Sequence, residues 1–384
     1  MTTLIQPHHK VQAAPLTRTA IILSLLALLT LAGVWAGLGR LLLGLGATTA
    51  LSDGYSWGIW IAFDFVLIAF AGAGFTMAGL THVLRQHQFE PALRPAILTG
   101  LLGYMAVLLL LVLDLGRPDR FYNFILYWNL HSPLFEISCC VLLYTTVLVL
   151  ETAPFLLERL GWTRWLSLAH KAITPIAILG VTLSSLHQST LGTLYLNMPH
   201  RLDALWYSPA LPLLFFVSSV MAGLSLAMLA YLFSARILGR QIQPGLLAGL
   251  ATGAGWVTLV YALLKLGDLG LRGQWAALGS FDAMSQLLWL ELGLGAVVPV
   301  ALLLLPALRT RSWSRWLGVG LILFGVLMNR FNATMFAQTP PPGTPAYSPH
   351  PVEWLTTIGI LAGAALAWYV AVRWLVVFEE NPHV

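Results

Sequence analysis

The sequence predicts an all-α polytopic membrane protein of about ten transmembrane helices, arranged as two four-helix bundles plus peripheral helices. Three observations carry this. The 384 residues are 58% hydrophobic and only 9% charged, with a mean hydropathy of +0.80, and a soluble domain needs far more charge to cover its surface. The apolar residues fall in long runs, close to the ~20 residues that cross a bilayer as a helix. The few ionisable residues sit inside or at the mouths of those runs, nearly all toward one end. Charge at membrane depth is costly enough to mark a functional site.

The first run, 20–46, lies behind a polar start, 1–19, and is too long for a cleaved signal peptide. Arg40 falls near its end, where the side chain can snorkel to the interface. Runs at 57–82, 95–115, 133–158 and 170–190 form a first bundle (57–190). Runs at 209–235, 245–266, 285–308 and 315–335 form a second (209–335). The runs 20–46 and 354–378 flank them within one membrane domain (20–378), and 379–384 is a short tail. A weak internal echo fits two bundles in the same orientation. The third run ends Asp114-Leu-Gly-Arg117 and the seventh ends Asp268-Leu-Gly-Leu-Arg272, with Glu136 and Glu291 each one helix further on.

Orientation follows from the cations. Lys10, Arg18, Arg85, Arg94, Arg159, Arg164, Lys171, Arg236, Arg240, Arg309, Arg311, Arg315 and Arg373 fall on one side. Arg40, Arg117, Arg120, Arg201, Lys265 and Arg272 fall on the other. The positive-inside rule makes both termini cytoplasmic, and it accounts for the net charge of +5 without nucleic acid. The longer loops, 116–132, 191–208, 267–284 and the proline-rich 336–353, then face outward. They suggest a docking face, with plain solvated connections as the competing reading. Cys139 and Cys140 are adjacent, face different sides of one helix, and read as small buried hydrophobes.

With this topology Asp64, Glu136, Glu291, Asp114, Asp268, His187 and Arg330, from seven helices, gather in the outer leaflet. The inner half holds only His82, Glu151 and His170, at its rim. A quinone site needs an apolar slot, hydrogen-bond donors for two carbonyls, and a proton source or sink. His187 and Asp64 are the first candidates for ring contacts, with Trp60 and Phe135 as aromatic walls. Glu136, Glu291, Asp114 and Asp268 would handle protons, and Arg330 would hold a neighbouring acid ionised. The competing readings are structural ion pairs for the charges and an interfacial belt for the aromatics. Two mid-membrane histidines on separate helices are lacking, so no haem is expected in this chain. No metal site is expected either. Ser138, Tyr144, Thr145 and Thr146 lie below Glu136 and could lead protons inward, although helix-to-helix hydrogen bonds explain them as well.

Four stretches resemble a known family: Trp57-Gly-Ile-Trp-Ile-Ala-Phe-Asp64, Arg94-Pro-Ala-Ile97, Leu134-Phe-Glu136 leading to Leu157-Glu-Arg-Leu-Gly-Trp162, and His187-Gln-Ser-Thr-Leu-Gly192. With them the chain resembles the NrfD/PsrC-type membrane subunits of iron–sulfur redox complexes, and in particular the HybB-type subunit of membrane-bound nickel–iron hydrogenases. The resemblance implies two four-helix bundles in a bacterial inner membrane and no redox centre of the chain's own. It implies a ferredoxin-like iron–sulfur subunit and a catalytic subunit on the outer face, exchanging electrons with a quinone (menaquinone or ubiquinone). Asp64, Glu136 and His187 match family motif positions. The expected function is therefore a quinone-binding anchor coupling a periplasmic iron–sulfur chain to the quinone pool, with proton translocation as an addition. Membership of a sulfur-metabolism or multihaem-cytochrome complex stays open. So do a solute transporter and a purely structural anchor.

Overall fold

The computed structural model describes residues 16–378; the sequence-predicted tails, apart from 16–19 and with Lys10 among them, lie outside the described residues. Ten helices among the described residues are long and apolar enough to cross a membrane. They are α1 (Leu16–Leu43), α2 (Ile59–Ala78), α3 (Glu90–Asp114), α4 (Pro133–Leu160), α5 (Thr163–Leu196), α6 (Leu211–Ile237), α7 (Pro244–Leu271), α8 (Ala283–Leu304), α9 (Ser312–Phe331) and α10 (Pro351–Trp374). Two spans run on through a π-helical turn, α2 to Val83 and α9 to Phe336, and α8 carries one at Leu290–Val297. This is a multi-pass integral membrane protein, and every predicted run corresponds to one helix.

The helix ends follow local chemistry. Pro133, Pro244 and Pro351 open α4, α7 and α10, where a missing N–H costs nothing and the fixed φ suits the first turn. Ser132 and Asp282 accept backbone N–H groups at the starts of α4 and α8. Gly161, at φ 69°, ends α4 in the left-handed region that glycine enters without strain.

Packing sets α2 against α3 and α4 against α5, with α6 central. Helix α6 touches α2, α3 and α5 on one side and α7 and α9 on the other, so it joins the two groups of four. Helices α1 and α10 pack on each other and, mainly through α10, on α3. Close backbone approach decides two crossings. A Cβ on Gly33 would lie 2.5 Å from Gly359 Cα, and one on Gly325 would lie 2.5 Å from Gly295 Cα. Small residues let membrane helices come this near and gain dispersion contacts.

Three sequence expectations about depth are corrected. Arg40 does not snorkel: it is 2% exposed and donates to Leu115 O at 2.6 Å, because α3 and α10 cover the end of α1. Helix α5 continues to Leu196, six residues past the predicted run. His187 therefore lies nine residues, about 14 Å, from the helix end and not in its last turn. Glu151 is not at the inner rim. It is 2% exposed, nine residues inside the end of α4.

The segments that lead into α2 and α10 are tied down. Tyr55 and Tyr347 stack with ring centroids 4.8 Å apart. Tyr347 donates to Glu353 Oε1 (2.6 Å) and accepts the N–H of Ile59 (2.9 Å), while Tyr55 donates to Met335 O (2.7 Å). Glu353 Oε2 accepts the N–H groups of Ala50 and His350. Burial raises both phenol pKa values above the usual range, and for Tyr347 the bond to Glu353 adds to this.

Candidate functional site

The first group of helices encloses a polar centre around His187. Tyr104 on α3 and His187 on α5 are both fully buried, and the phenol oxygen and Nδ1 are hydrogen-bonded at 2.8 Å. With Nδ1 as acceptor, the proton of a neutral imidazole sits on Nε2. That atom, buried, has no hydrogen-bond partner within the protein. The same holds for Asp64 Oδ1 and Gln188 Oε1. Gln188 is positioned through its other end, which donates to Ile68 O at 2.8 Å. Buried polar atoms are nearly always paired in folded proteins. A cluster of orphans on α2 and α5 is thus a site built for something besides packing.

The geometry links these groups. The Tyr104 and Tyr144 rings meet edge to face at 4.9 Å, Ser184 adjoins both phenols, and Asp64 is in electrostatic reach of Tyr104. Cys140 is in electrostatic reach of both Tyr104 and Glu136. Glu136 is half-buried and accepts the hydroxyl of Thr190 at 2.6 Å. Inward, a Cβ on Gly180 would sit 3.6 Å from both Glu151 Oε1 and the Tyr144 ring. Glu151 in turn lines a cavity of about 820 Å³ where α3 begins and α4 ends, with His82, Arg94, His170 and Arg240 on its walls.

The sequence-predicted residues divide. Trp60 turns away from His187. Its indole donates to Thr356 on α10 at 2.9 Å, and it packs with Ile59, Leu110 and Leu113. Asp114 lies within electrostatic reach of Asp64, Arg40 and Glu353. Phe135 stands in the first turn of α4, half-buried beside Glu136. Ser138 and Thr146 bond their own backbone four residues back, on an exposed face, so the inward line of polar groups uses Tyr144 without them.

Glu291 and Arg330 form a separate centre in the second group of helices. The π-helical turn of α8 presents Glu291 to four donors: Trp206 Nε1 (2.8 Å), Tyr261 OH (3.3 Å), Asn329 Nδ2 (2.8 Å) and Asn332 Nδ2 (2.9 Å). Arg330 reaches this carboxylate through Asn329, donating to its Oδ1. It also bonds Phe215 O and Ser218 Oγ, and lies 3.8 Å over the Phe215 ring. Lys265, fully buried, donates to Leu205 O close by. Asp268 is an ion pair at the end of α7, taking Arg272 at 2.8 Å and Ser208 Oγ at 2.5 Å. The internal echo is not kept in contacts: Asp114 faces Arg40, whereas Arg117 pairs with Asp119.

Residues 47–340 match the family described as polysulphide reductase, NrfD. The chain belongs to the NrfD family. It is 32% identical over 356 residues to a Nitratidesulfovibrio vulgaris protein, covering 88% of this chain and 89% of the other. It is 31% identical over 353 residues to the probable Ni/Fe-hydrogenase 2 b-type cytochrome subunit of Escherichia coli, covering 90% of each. It is 28% identical over 380 residues to the integral membrane subunit of a Nitratidesulfovibrio vulgaris menaquinone reductase, covering 91% of this chain and 89% of the other. The matched stretch contains both polar centres and leaves out α1 and α10.

Proposed function

We propose that this NrfD-family chain is the membrane subunit of a quinone-linked oxidoreductase complex, with the quinone ring held near His187, Tyr104 and Asp64. The observation that carries the reading is the unpaired Nε2 of His187, buried with the unpaired Asp64 Oδ1 and Gln188 Oε1 in an aromatic, apolar setting. These groups fit a neutral ring with two carbonyl acceptors. Nε2–H supplies a donor, and protonated Asp64 supplies a second. A bound quinone takes up or releases two electrons and two protons. The chain's own part is to fix His187 through Tyr104, exclude water, and hold a proton at Asp64 or Glu136. Relatives named as a menaquinone reductase subunit and a hydrogenase b-type cytochrome subunit support the class. An iron–sulfur partner and a catalytic partner on the outer face belong to this reading, as do cytoplasmic termini in a bacterial inner membrane.

The test is His187→Leu and Asp64→Leu in the purified complex. Quinone-linked turnover is expected to fall by at least tenfold, with assembly and artificial-acceptor activity retained. Turnover near wild type in both variants would overturn the assignment.

Proton translocation is a second reading, favoured by the line from His187 and Tyr104 through Tyr144 and Ser184 to Glu151 and the inner cavity. Glu151→Gln should abolish proton uptake from the inner side in vesicles while quinone chemistry continues. Uptake unchanged in that variant would remove this role.

A further inference from the structure

The two helices outside the family-matched stretch bring charge to the Asp64 side of the open centre. Arg40, near the end of α1, is buried and donates to Leu115 O at 2.6 Å, the carbonyl directly after the last residue of α3. That last residue is Asp114. One turn before Arg40, α1 lies close to both neighbours at Gly37, where a Cβ would sit 3.7 Å from the Leu113 side chain and 3.9 Å from that of Thr356. Asp114 is within electrostatic reach of Arg40 on α1, Glu353 on α10 and, toward the centre, Asp64 on α2. Asp64 is in turn within reach of Tyr104.

The charges can be assigned one by one. Glu353 accepts the N–H groups of Ala50 and His350 and the hydroxyl of Tyr347. Only acceptance is asked of it, which suits a carboxylate held by the donors of its own clasp. Arg40 is left to Asp114. Buried charge has to be balanced, and one guanidinium balances one carboxylate. Asp114 is therefore the ionised member of the pair, and Asp64 keeps its proton. At the C-terminal end of α3 the helix dipole disfavours an anion, so Asp114 depends on Arg40 for its charge. Asp64 Oδ1, Asp114 Oδ1 and Arg40 Nε are buried and have no hydrogen-bond partner. Asp114 as a residue is only half-buried, and Leu115, Gly116 and Arg117 after it are exposed. The acid pair thus leads from the His187 centre to the surface where α3 ends.

We propose that Asp114, kept ionised by Arg40, is the proton outlet of the site at Asp64. This rests on the quinone reading above. When a bound quinone is reduced by electrons from the iron–sulfur partner, Asp64 gives its proton to a ring oxygen and is left as a carboxylate. Asp114 takes a proton from water at the surface and passes it inward, which returns Asp64 to the acid and Asp114 to the carboxylate. Quinol oxidation runs the same transfers backwards. The route is separate from Glu151, so it serves the ring chemistry whether or not protons also cross from the other side. By supplying Arg40, α1 takes part in turnover as a positioning helix.

The experiment follows the Asp64 proton itself in the purified complex, with no quinone added. The carboxylic-acid infrared band that disappears in Asp64→Asn is timed as it shifts after transfer to D2O. Asp114→Asn and Arg40→Leu should each slow that exchange about tenfold or more, the double variant should slow it no further, and Asp114→Glu should restore it. Quinone-linked turnover should fall in step with the exchange rate, with artificial-acceptor activity kept. Formic acid, a small proton carrier, should restore part of the turnover of Asp114→Asn, which a merely structural loss does not permit. Exchange at the wild-type rate in Asp114→Asn would overturn the proposal, as would turnover in that variant that formic acid does not raise. Absence of the Asp64 acid band in wild type would overturn it too, since the route starts from protonated Asp64. If wild type binds no menaquinone, the quinone reading falls, while the exchange times, recorded without quinone, still decide the outlet.

Discussion

The hydrogen bond between Tyr104 and His187 should be measurable as a coupling energy. Tyr104→Phe removes the hydroxyl bonded to Nδ1 at 2.8 Å and keeps the ring, including its edge contact with Tyr144 at 4.9 Å. His187 Nδ1 is then left buried without a donor, which costs about 1–3 kcal/mol. Freed of that bond, the imidazole can move its proton to Nδ1, and the Nε2–H that faces the unpaired groups is lost. The same energy appears in the rate if the chain needs Nε2–H, since about 1.4 kcal/mol is tenfold. Tyr104→Phe should thus lower quinone-linked turnover about 5- to 150-fold. In a double-mutant cycle with His187→Leu, the second substitution should add little once the first is made. The assay is quinone-linked turnover of the intact complex against an artificial acceptor that bypasses this chain. Additive losses would refute the reasoning, because they would mean that Tyr104 acts without His187. So would an equal loss with the artificial acceptor.

Other outcomes follow from the same contacts. Glu291→Leu strips four buried donors of their acceptor and should cost at least about 3 kcal/mol, read as a large fall in detergent thermal stability, whereas Glu291→Gln should lose markedly less. Gly359→Leu forces α1 and α10 apart at a point where no Cβ fits; cross-linking of cysteines placed along the two helices should fail, while the core helices keep their melting point. Arg94 holds Glu158 through two bonds of 2.7 Å and also bonds Val376 O, so Arg94→Leu should raise proteolysis at the segment after α10. Burial raises the Tyr347 pKa, so the outer clasp favours the neutral phenol. Its stability should be flat below the ordinary tyrosine value of about 10 and fall as pH rises beyond it. Hydrogen exchange of the 340–350 loop would show this, and Tyr347→Phe should remove the alkaline step.

All ten spans were legible in the sequence because each is an uninterrupted apolar run, and Arg330, Asp64 and His187 stood out because charge is rare there. Tyr104 was not legible. A tyrosine in an apolar run reads as packing or as interfacial belt, and only the fold brings it to His187 from 83 residues away. Asn329, which joins Arg330 to Glu291, and Asn332, a further donor to Glu291, were hidden for the same reason. Trp60 misled in the other direction. Its spacing from Asp64 puts both on one helical face, but α10, distant in sequence, claims the indole through Thr356. Glu151 looked marginal because a run of hydropathy does not show that Gly180 on the neighbouring helix leaves room for it. Periodicity reports which residues are in the membrane; partners across helices decide what they do there.

The two polar centres differ in how their hydrogen bonds are spent. Glu291 is saturated by four donors, so any rearrangement there must break bonds before making new ones. The His187 centre leaves His187 Nε2, Asp64 Oδ1 and Gln188 Oε1 unpaired. A chain with one locked half and one open half has a fixed frame against which the open half can exchange protons, and events in the first bundle should leave the second one still. If this subunit moves during turnover, the motion should be in α3, α4 and α5, with α7, α8 and α9 acting as the anvil.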